Sequence, residues 1–484
     1  MSHTVMNRKI YNPCPVYNRG GHLKDQNPDS MKFDAIIIGT GQAGPPLAAS
    51  LAKNNYNVAV FEKGLLGGSC VNVGCTPTKT YVASARRAFV AKNSTAHGIY
   101  AKGGIEVNLK TIKGRKDKII EESRSSLHKM LSSNENITLI RGEARFVNAS
   151  QVEANGKIYE ADSIYIDVGA RPRIPKGFEE VNYLTNETIL ELEDVPEHLI
   201  IVGGGYVGLE FGQMFRRFGS EVTILEMEDR LMKKEDRDFG ESVVKIFERE
   251  DIAVRLNAEC IGAKKAGDQI EVNINCKEGS PQINGSHLLL ATGRVPNTKA
   301  LGLEHAGIAL DKKGYIKVDD DLRTSVDHIY ALGDCNGEGA FTHTAYNDFQ
   351  IVNAQLFGDK KRSLSDRFTC YAAFIDPPLA RVGMNASDIE KAGIKAKVAS
   401  MPMSKVARAK EMGETEGMLK IYIEESTERF LGATFLGTGA DEYIHTVIDQ
   451  MYAGQSHTVI RDAVHIHPTV SELIPTMLEE LENL

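Results

Sequence analysis

Phe33-Asp34-Ala35-Ile36-Ile37-Ile38-Gly39-Thr40-Gly41-Gln42-Ala43-Gly44 joins a short apolar run to a glycine-rich turn. The run has the composition of a buried strand, and the residues after Gly44 read as a helix. A second strand then ends at Glu62. The same order returns at Leu199-Ile200-Ile201-Val202, which leads into Gly203-Gly204-Gly205-Tyr206-Val207-Gly208, a helix, and a strand ending at Glu226. From Gly39 to Glu62 and from Gly203 to Glu226 the step is the same 23 residues. Gly39, Gly41 and Gly44, like Gly203, Gly205 and Gly208, permit a tight turn and close approach to a pyrophosphate at a helix N-terminus. Glu62 and Glu226 are placed to accept hydrogen bonds from an adenosine ribose. One such turn arises easily by chance; two, each with its acid, predict two dinucleotide sites. Pro45 and Pro46 each remove an N–H from the first helical turn, so fewer phosphate contacts are expected there.

Directly after the first unit stands Gly67-Gly68-Ser69-Cys70-Val71-Asn72-Val73-Gly74-Cys75-Thr76-Pro77-Thr78-Lys79. Regular helix would carry Cys75 about 7.5 Å along the axis from Cys70. A disulfide rarely spans Cα atoms more than about 7 Å apart, so the segment must be distorted for the sulfurs to bond. Gly74 supplies the backbone freedom. The pair is expected to be redox-active rather than a structural staple. A flavin fits the first site, because it takes up a hydride and passes electron pairs to a disulfide. The second site then holds the hydride donor. Glu226 would repel a 2′-phosphate, which favours NADH over NADPH, although Arg230 stands four positions later.

Length and composition frame this reading. The 484 residues suggest three or so domains on the prior of about 150 residues each. An apolar share of 42% and a charged share of 25% are those of an ordinary soluble protein. The net charge of −8 argues against nucleic acid or anionic membrane as the main partner. Seven cysteines do not make a secreted disulfide framework, and Cys14, Cys260, Cys276, Cys335 and Cys370 are expected as reduced thiols. No apolar stretch reaches the roughly 18 residues needed to span a bilayer, and the polar start has no signal core, so the cytoplasm is the expected compartment.

Together these residues resemble the class I pyridine nucleotide–disulfide oxidoreductases, the family of lipoamide dehydrogenase, glutathione reductase and mercuric reductase. The likeness runs from about residue 32 to the C-terminus. Asp34 to Gly44 and Gly67 to Lys79 match the flavin and disulfide motifs, with Gly68 in place and Ser69 where threonine is usual. Leu290-Ala291-Thr292-Gly293-Arg294-Val295-Pro296-Asn297 looks like the strand that returns the chain to the flavin domain. Ile329-Tyr330-Ala331-Leu332-Gly333-Asp334 resembles the second flavin fingerprint, and His467-Pro468-Thr469-Val470-Ser471-Glu472 the C-terminal signature. Three further stretches, Phe341 to Asp348, Asp376 to Gly383 and Met401 to Ala409, resemble the mercuric-reductase-like branch, which includes the bacterial reactive-chlorine-resistance flavoprotein.

The resemblance implies an α/β fold: two Rossmann-like dinucleotide-binding domains plus a C-terminal α+β dimerisation domain. The expected divisions are a loose extension at 1–31, an FAD domain at 32–183, an NAD(P) domain at 184–295, a central part completing the FAD domain at 296–364, and the dimerisation domain at 365–484. Cys75 would face the FAD and form a charge-transfer thiolate, while Cys70 exchanges with substrate. His467 of the partner subunit would shuttle the proton, oriented by Glu472. Lys79 would stand beside the flavin N5 with Glu210 as its ion-pair partner. Gly333 and Asp334 would bind the flavin's ribityl side, Tyr206 would gate the nicotinamide, and Gly293 would line the NAD site. Away from such motifs, a lone lysine or glutamate is usually a solvated charge and a lone tyrosine is usually packing. His465 and His467 alternate on one face but lack a third ligand, so no permanent metal site is expected.

Three functions compete. The first delivers electrons through Cys70–Cys75 to a thiol-reactive metal ion, Hg(II) or Cu(II). The second reduces or oxidises a small disulfide or dithiol, lipoamide above all. The third is a flavin redox sensor without efficient turnover, which the intact set Cys70, Cys75, Lys79, His467 and Glu472 argues against. The C-terminal cysteine pair and the Cys-x-x-Cys metal-carrying domain of mercuric reductases have no counterpart in this sequence, which keeps the second reading in play.

Overall fold

The computed structural model describes residues 30–276 and 279–484; Cys14 and residues 1–29 of the expected extension lie outside them. The first strand, Ser30–Ile38, starts earlier than expected. Ser30 and Met31 pair with Ile158 and Tyr159, so the last two residues assigned to the extension belong to the sheet. A polar Ser30 and a single Met31 before Lys32 make no apolar run, so there is no strand signal in the sequence at that point. The strands Val58–Glu62, Ile137–Arg141 and Lys157–Ile166 join it in parallel, and Ile329–Ala331 adds to the far side of Lys157–Ile166. Ile36 and Ile37 are fully buried, as a strand covered on both faces requires. The helix Gly44–Lys53 packs Leu47, Ala48 and Leu51 onto one face.

A second parallel sheet repeats the plan with Ala253–Arg255, Glu221–Leu225, His198–Val202, His287–Leu290 and Tyr183–Leu184 in that order. The helix Tyr206–Phe218 follows its glycine turn. In both units the turn therefore lies at the carboxyl end of the central strands, where open α/β sheets bind ligands. The expected return strand proves to be two pieces. His287–Leu290 ends in the second sheet, and Arg294–Pro296 pairs antiparallel with Ala170–Pro172. Gly293 lies between them at φ +107°. The last unit is an antiparallel sheet with Leu379–Gly383, Phe430–Leu436, Met418–Glu424 and Ala396–Pro402 at its centre. The whole is the α/β architecture of two dinucleotide-binding units plus an α+β dimerisation unit. No helix among the described residues is long and apolar enough to cross a membrane.

Candidate active site

Gly39 shows why the first turn needs glycine. It sits at φ +104°, and a Cβ there would stand 2.2 Å from the Asp167 carbonyl oxygen. The two turns use their acids alike. Glu62 accepts from Thr40 N at 3.0 Å and Gly64 N at 2.7 Å. Glu226 accepts from Gly204 N at 2.7 Å and Glu228 N at 2.9 Å. Each carboxylate is thus locked against its own glycine turn at the end of its strand.

The cysteine segment is broken where the sequence argument requires. The helix Gly68–Asn72 ends, Val73 and Gly74 leave helical geometry, and a new helix, Cys75–Lys92, begins. A Cβ on Gly74 would meet the Ser69 carbonyl oxygen at 2.8 Å, so the kink needs glycine. Asn72 and Asn186 tie the kink through Leu66 O, Gly68 O and Val73 O. The structure has Cys70 and Cys75 as free thiols, hydrogen-bonded to each other. That contact lowers the Cys75 thiol to about 6, helped by Thr342 and by the charge of Lys79, against burial and Glu210. Cys70 moves the other way, pushed up first by its bond to Cys75 and then by burial. The pair therefore holds one proton over a wide pH range, with the thiolate on Cys75. Thr342 Oγ1 lies 3.2 Å from Cys75 Sγ, from the first turn of the helix Thr342–Phe357.

Lys79 Nζ reaches both oxygens of Glu210, at 2.8 and 3.1 Å, and lies 4.6 Å from the Phe374 ring centre. Tyr206 packs on Phe341, which stacks on both His343 and Tyr371. A cavity of about 1340 Å³ runs past Gly39, Gly41, Glu62, Gly68, Ser69, Cys70, Cys75 and Lys79 to Gly205, Tyr206, Glu210 and Gly293, with Gly333 and Asp334 on its wall. Gly203, Gly208 and Glu226 support the second turn from behind this lining. Asp334 is held 3.6 Å from Arg294, whose Nη2 also donates to Ser69 Oγ at 3.3 Å. The Arg294 Nε and Asn72 Oδ1 are buried without hydrogen-bond partners. Unsatisfied groups on the wall, two acid-locked turns and room beyond a drug-sized ligand fit a flavin dinucleotide beside a nicotinamide dinucleotide.

The structure does not bring every expected residue to this cavity. His467 Nδ1 lies 2.8 Å from Glu472 Oε2, but the two line a separate open recess with His465 and Lys405. The His467 side chain is 76% exposed, and Val464 beside it is wholly exposed. Sequence reasoning missed three groups. Thr342 sits in a quoted stretch but gave no sign of meeting a cysteine 267 positions away. Arg294 lies in the returning stretch Leu290 to Asn297, where nothing in the sequence points to Asp334 or Ser69 as its partners. Asp167, an acid ending an apolar strand run beside the first turn, was passed over; that position was its one available signal.

Comparison with known proteins bears on this arrangement. Residues 33–348 match the family described as pyridine nucleotide-disulphide oxidoreductase, and residues 369–478 match that family's dimerisation domain. The chain belongs to this family. It is 35% identical over 452 residues to the probable pyridine nucleotide-disulfide oxidoreductase RclA of Escherichia coli, covering 91% of this chain and 97% of that one. A mercuric reductase of Lysinibacillus sphaericus is 32% identical, covering 85% and 76%, and a dihydrolipoyl dehydrogenase of Thermus scotoductus is 33% identical, covering 93% and 97%. A solved structure described as the Cu(II) complex of the HOCl-induced flavoprotein disulfide reductase RclA superposes with a TM-score of 0.84 at 33% identity, over 93% and 99% of the two chains. The chain is thus an FAD-dependent enzyme that uses NAD(P)H, and its dimerisation domain supports a homodimer.

Proposed function

We propose that the enzyme takes electrons from NADH and passes them through Cys70 and Cys75 to a thiol-reactive metal ion, Hg(II) or Cu(II). The observation that carries this reading is the Cys70–Cys75 contact, with one thiol lowered to about 6 and opening into the cavity. FAD, when bound, supplies the conversion of a hydride into an electron pair that sulfur accepts. Gly39, Gly41, Gly44, Glu62, Gly68, Ser69, Gly333 and Asp334 hold it, and Gly203, Gly205, Gly208, Glu226 and Gly293 hold the nicotinamide dinucleotide. Tyr206 screens the nicotinamide from water.

Two electrons open the Cys70–Cys75 disulfide to a thiolate and a thiol, taking up one proton. Lys79 and Thr342 keep the Cys75 thiolate charged, and Glu210 fixes Lys79. Cys70 then meets the acceptor. With a metal ion, both sulfurs coordinate it, and re-forming the disulfide returns two electrons, enough for one Hg(II) or two Cu(II). His467 of the partner subunit, held by Glu472, takes the proton Cys70 gives up. Exposed His467 and Val464 on one chain support a partner's role. Kinship with mercuric reductase, and a relative solved with Cu(II), favour the metal reading.

A small-disulfide substrate is the second reading, favoured by the match to a dihydrolipoyl dehydrogenase over nearly its whole length. Stopped-flow reoxidation of the NADH-reduced enzyme by Hg(II), Cu(II), lipoamide and glutathione disulfide decides between them. Fastest reoxidation by a metal ion supports the proposal, and fastest reoxidation by lipoamide replaces it with the second reading. Equal NADPH use would remove the role given to Glu226.

A further inference from the structure

The amides at the start of the helix Gly44–Lys53 are what a dinucleotide pyrophosphate needs, and one side chain already uses them. Asp167 follows the strand Lys157–Ile166 and lines the cavity. Its Oδ2 accepts from Gly44 N at 2.7 Å, and Ala43 N also bonds to it. The carboxyl oxygens lie 2.7 and 2.8 Å from where a Cβ on Gly41 would stand, and one is 3.1 Å from that position on Gly333. The group is therefore wedged between the two glycine motifs of the flavin unit. Pro45 and Pro46 offer no N–H in the same turn, so the amides claimed by Asp167 are a large part of what the turn has.

The charges around it give no relief. Asp334 faces it from the turn Gly333–Cys335, and Asp348 from the helix Thr342–Phe357. The Cys335 thiol is buried alongside. Each nearby cation is engaged elsewhere: Arg294 lies 3.6 Å from Asp334, and Arg367 pairs with Asp348.

We propose that Asp167 is a positioning residue that must carry a proton for FAD to be held tightly. Ionised, it would compete with the pyrophosphate for the Ala43 and Gly44 amides and repel it. Protonated, it frees those amides and can itself donate a hydrogen bond. Burial already pushes its carboxyl well above the usual range, with Asp334 and Asp348 adding to the rise. The phosphate charge raises it further, so the proton is taken up with FAD. Affinity then falls as pH rises between the free and bound titrations, by at most about tenfold per pH unit. The inference rests on FAD as the bound flavin and on no assumption about the acceptor.

The test uses full-length holoenzyme, diluted into buffers from about pH 5.5 to about 9.5, with FAD release read as free-flavin fluorescence. Wild-type protein should lose FAD increasingly as pH rises. Asp167→Asn, which matches the acid in size but carries no charge to repel the pyrophosphate and can turn its NH2 toward it, should hold FAD with a flat profile. A variant that follows the wild-type slope overturns the proposal, as does one that loosens FAD equally at every pH. If Asp167→Asn does not accumulate, Asp167→Ala makes the same comparison, and a flat wild-type profile is by itself enough to overturn it.

Discussion

Lys79 and Glu210 form an ion pair that ties the cysteine-bearing helix of the first unit to the glycine-turn helix of the second. Glu210 is only 2% exposed and also accepts from Phe374 N at 2.8 Å, so its carboxylate is spoken for on both sides. One lysine thereby serves the thiolate, while its position is set by an acid 131 residues away. Removing Lys79 leaves Glu210 a buried carboxylate without its cation. Lys79→Met should raise the Cys75 titration above about 6, because the lysine charge is one of the causes that lowers it. Turnover should fall about 10²-fold or more with the loss of that charge. Thiolate absorbance against pH checks the first outcome, and steady-state rates the second.

Thr342 should act in the same direction with smaller effect. A hydrogen bond to sulfur from a neutral hydroxyl contributes about 1 kcal/mol, so Thr342→Val should move the Cys75 titration up by less than about one pH unit. The pH profile of iodoacetamide alkylation of the reduced protein reads this directly. An unshifted profile would remove Thr342 from the site.

The sign of the pH dependence follows from the pair. Cys75 is lowered and Cys70 raised, so near neutral pH the reduced enzyme carries a single thiolate. Thiol reactivity should appear with a midpoint near 6 and persist to alkaline pH. Cys70→Ala, which removes the hydrogen-bond donor that is the largest cause, should move that midpoint upward.

His467 and Glu472 give a test of the dimer. Cys75→Ser and His467→Ala should each abolish disulfide turnover alone. Subunits of the two variants, mixed and reassembled at random, should recover about a quarter of wild-type activity, since half the dimers then hold one complete site. No recovery would place His467 outside the partner's site.

Much of the fold and site is legible in the sequence. Two glycine turns with acids at equal spacing define the paired parallel sheets, because only that strand–turn–helix order satisfies both the buried strands and the phosphate approach. The Cys70–Cys75 kink followed from the rise of a helix against the reach of a disulfide. The pairing of Lys79 with Glu210 was anticipated from its place in two motifs. Asp167 and Thr342 were not legible, for a common reason. Each reaches its partner across the fold, over 123 and 267 residues respectively, and no local pattern names that partner. Ser30 and Met31 were misassigned because an edge of the strand that faces solvent shows no apolar run. The separate recess holding His467 and Glu472 is legible only with a second subunit in mind.

The central claim is that electron pairs leave through Cys70 and Cys75. Single-turnover reoxidation of NADH-reduced enzyme, wild type against Cys70→Ser, tests it most directly with whichever acceptor is fastest. The account predicts that the variant is still reduced by NADH but passes electrons to the acceptor at least about 10²-fold more slowly. Reoxidation of Cys70→Ser at the wild-type rate would contradict it.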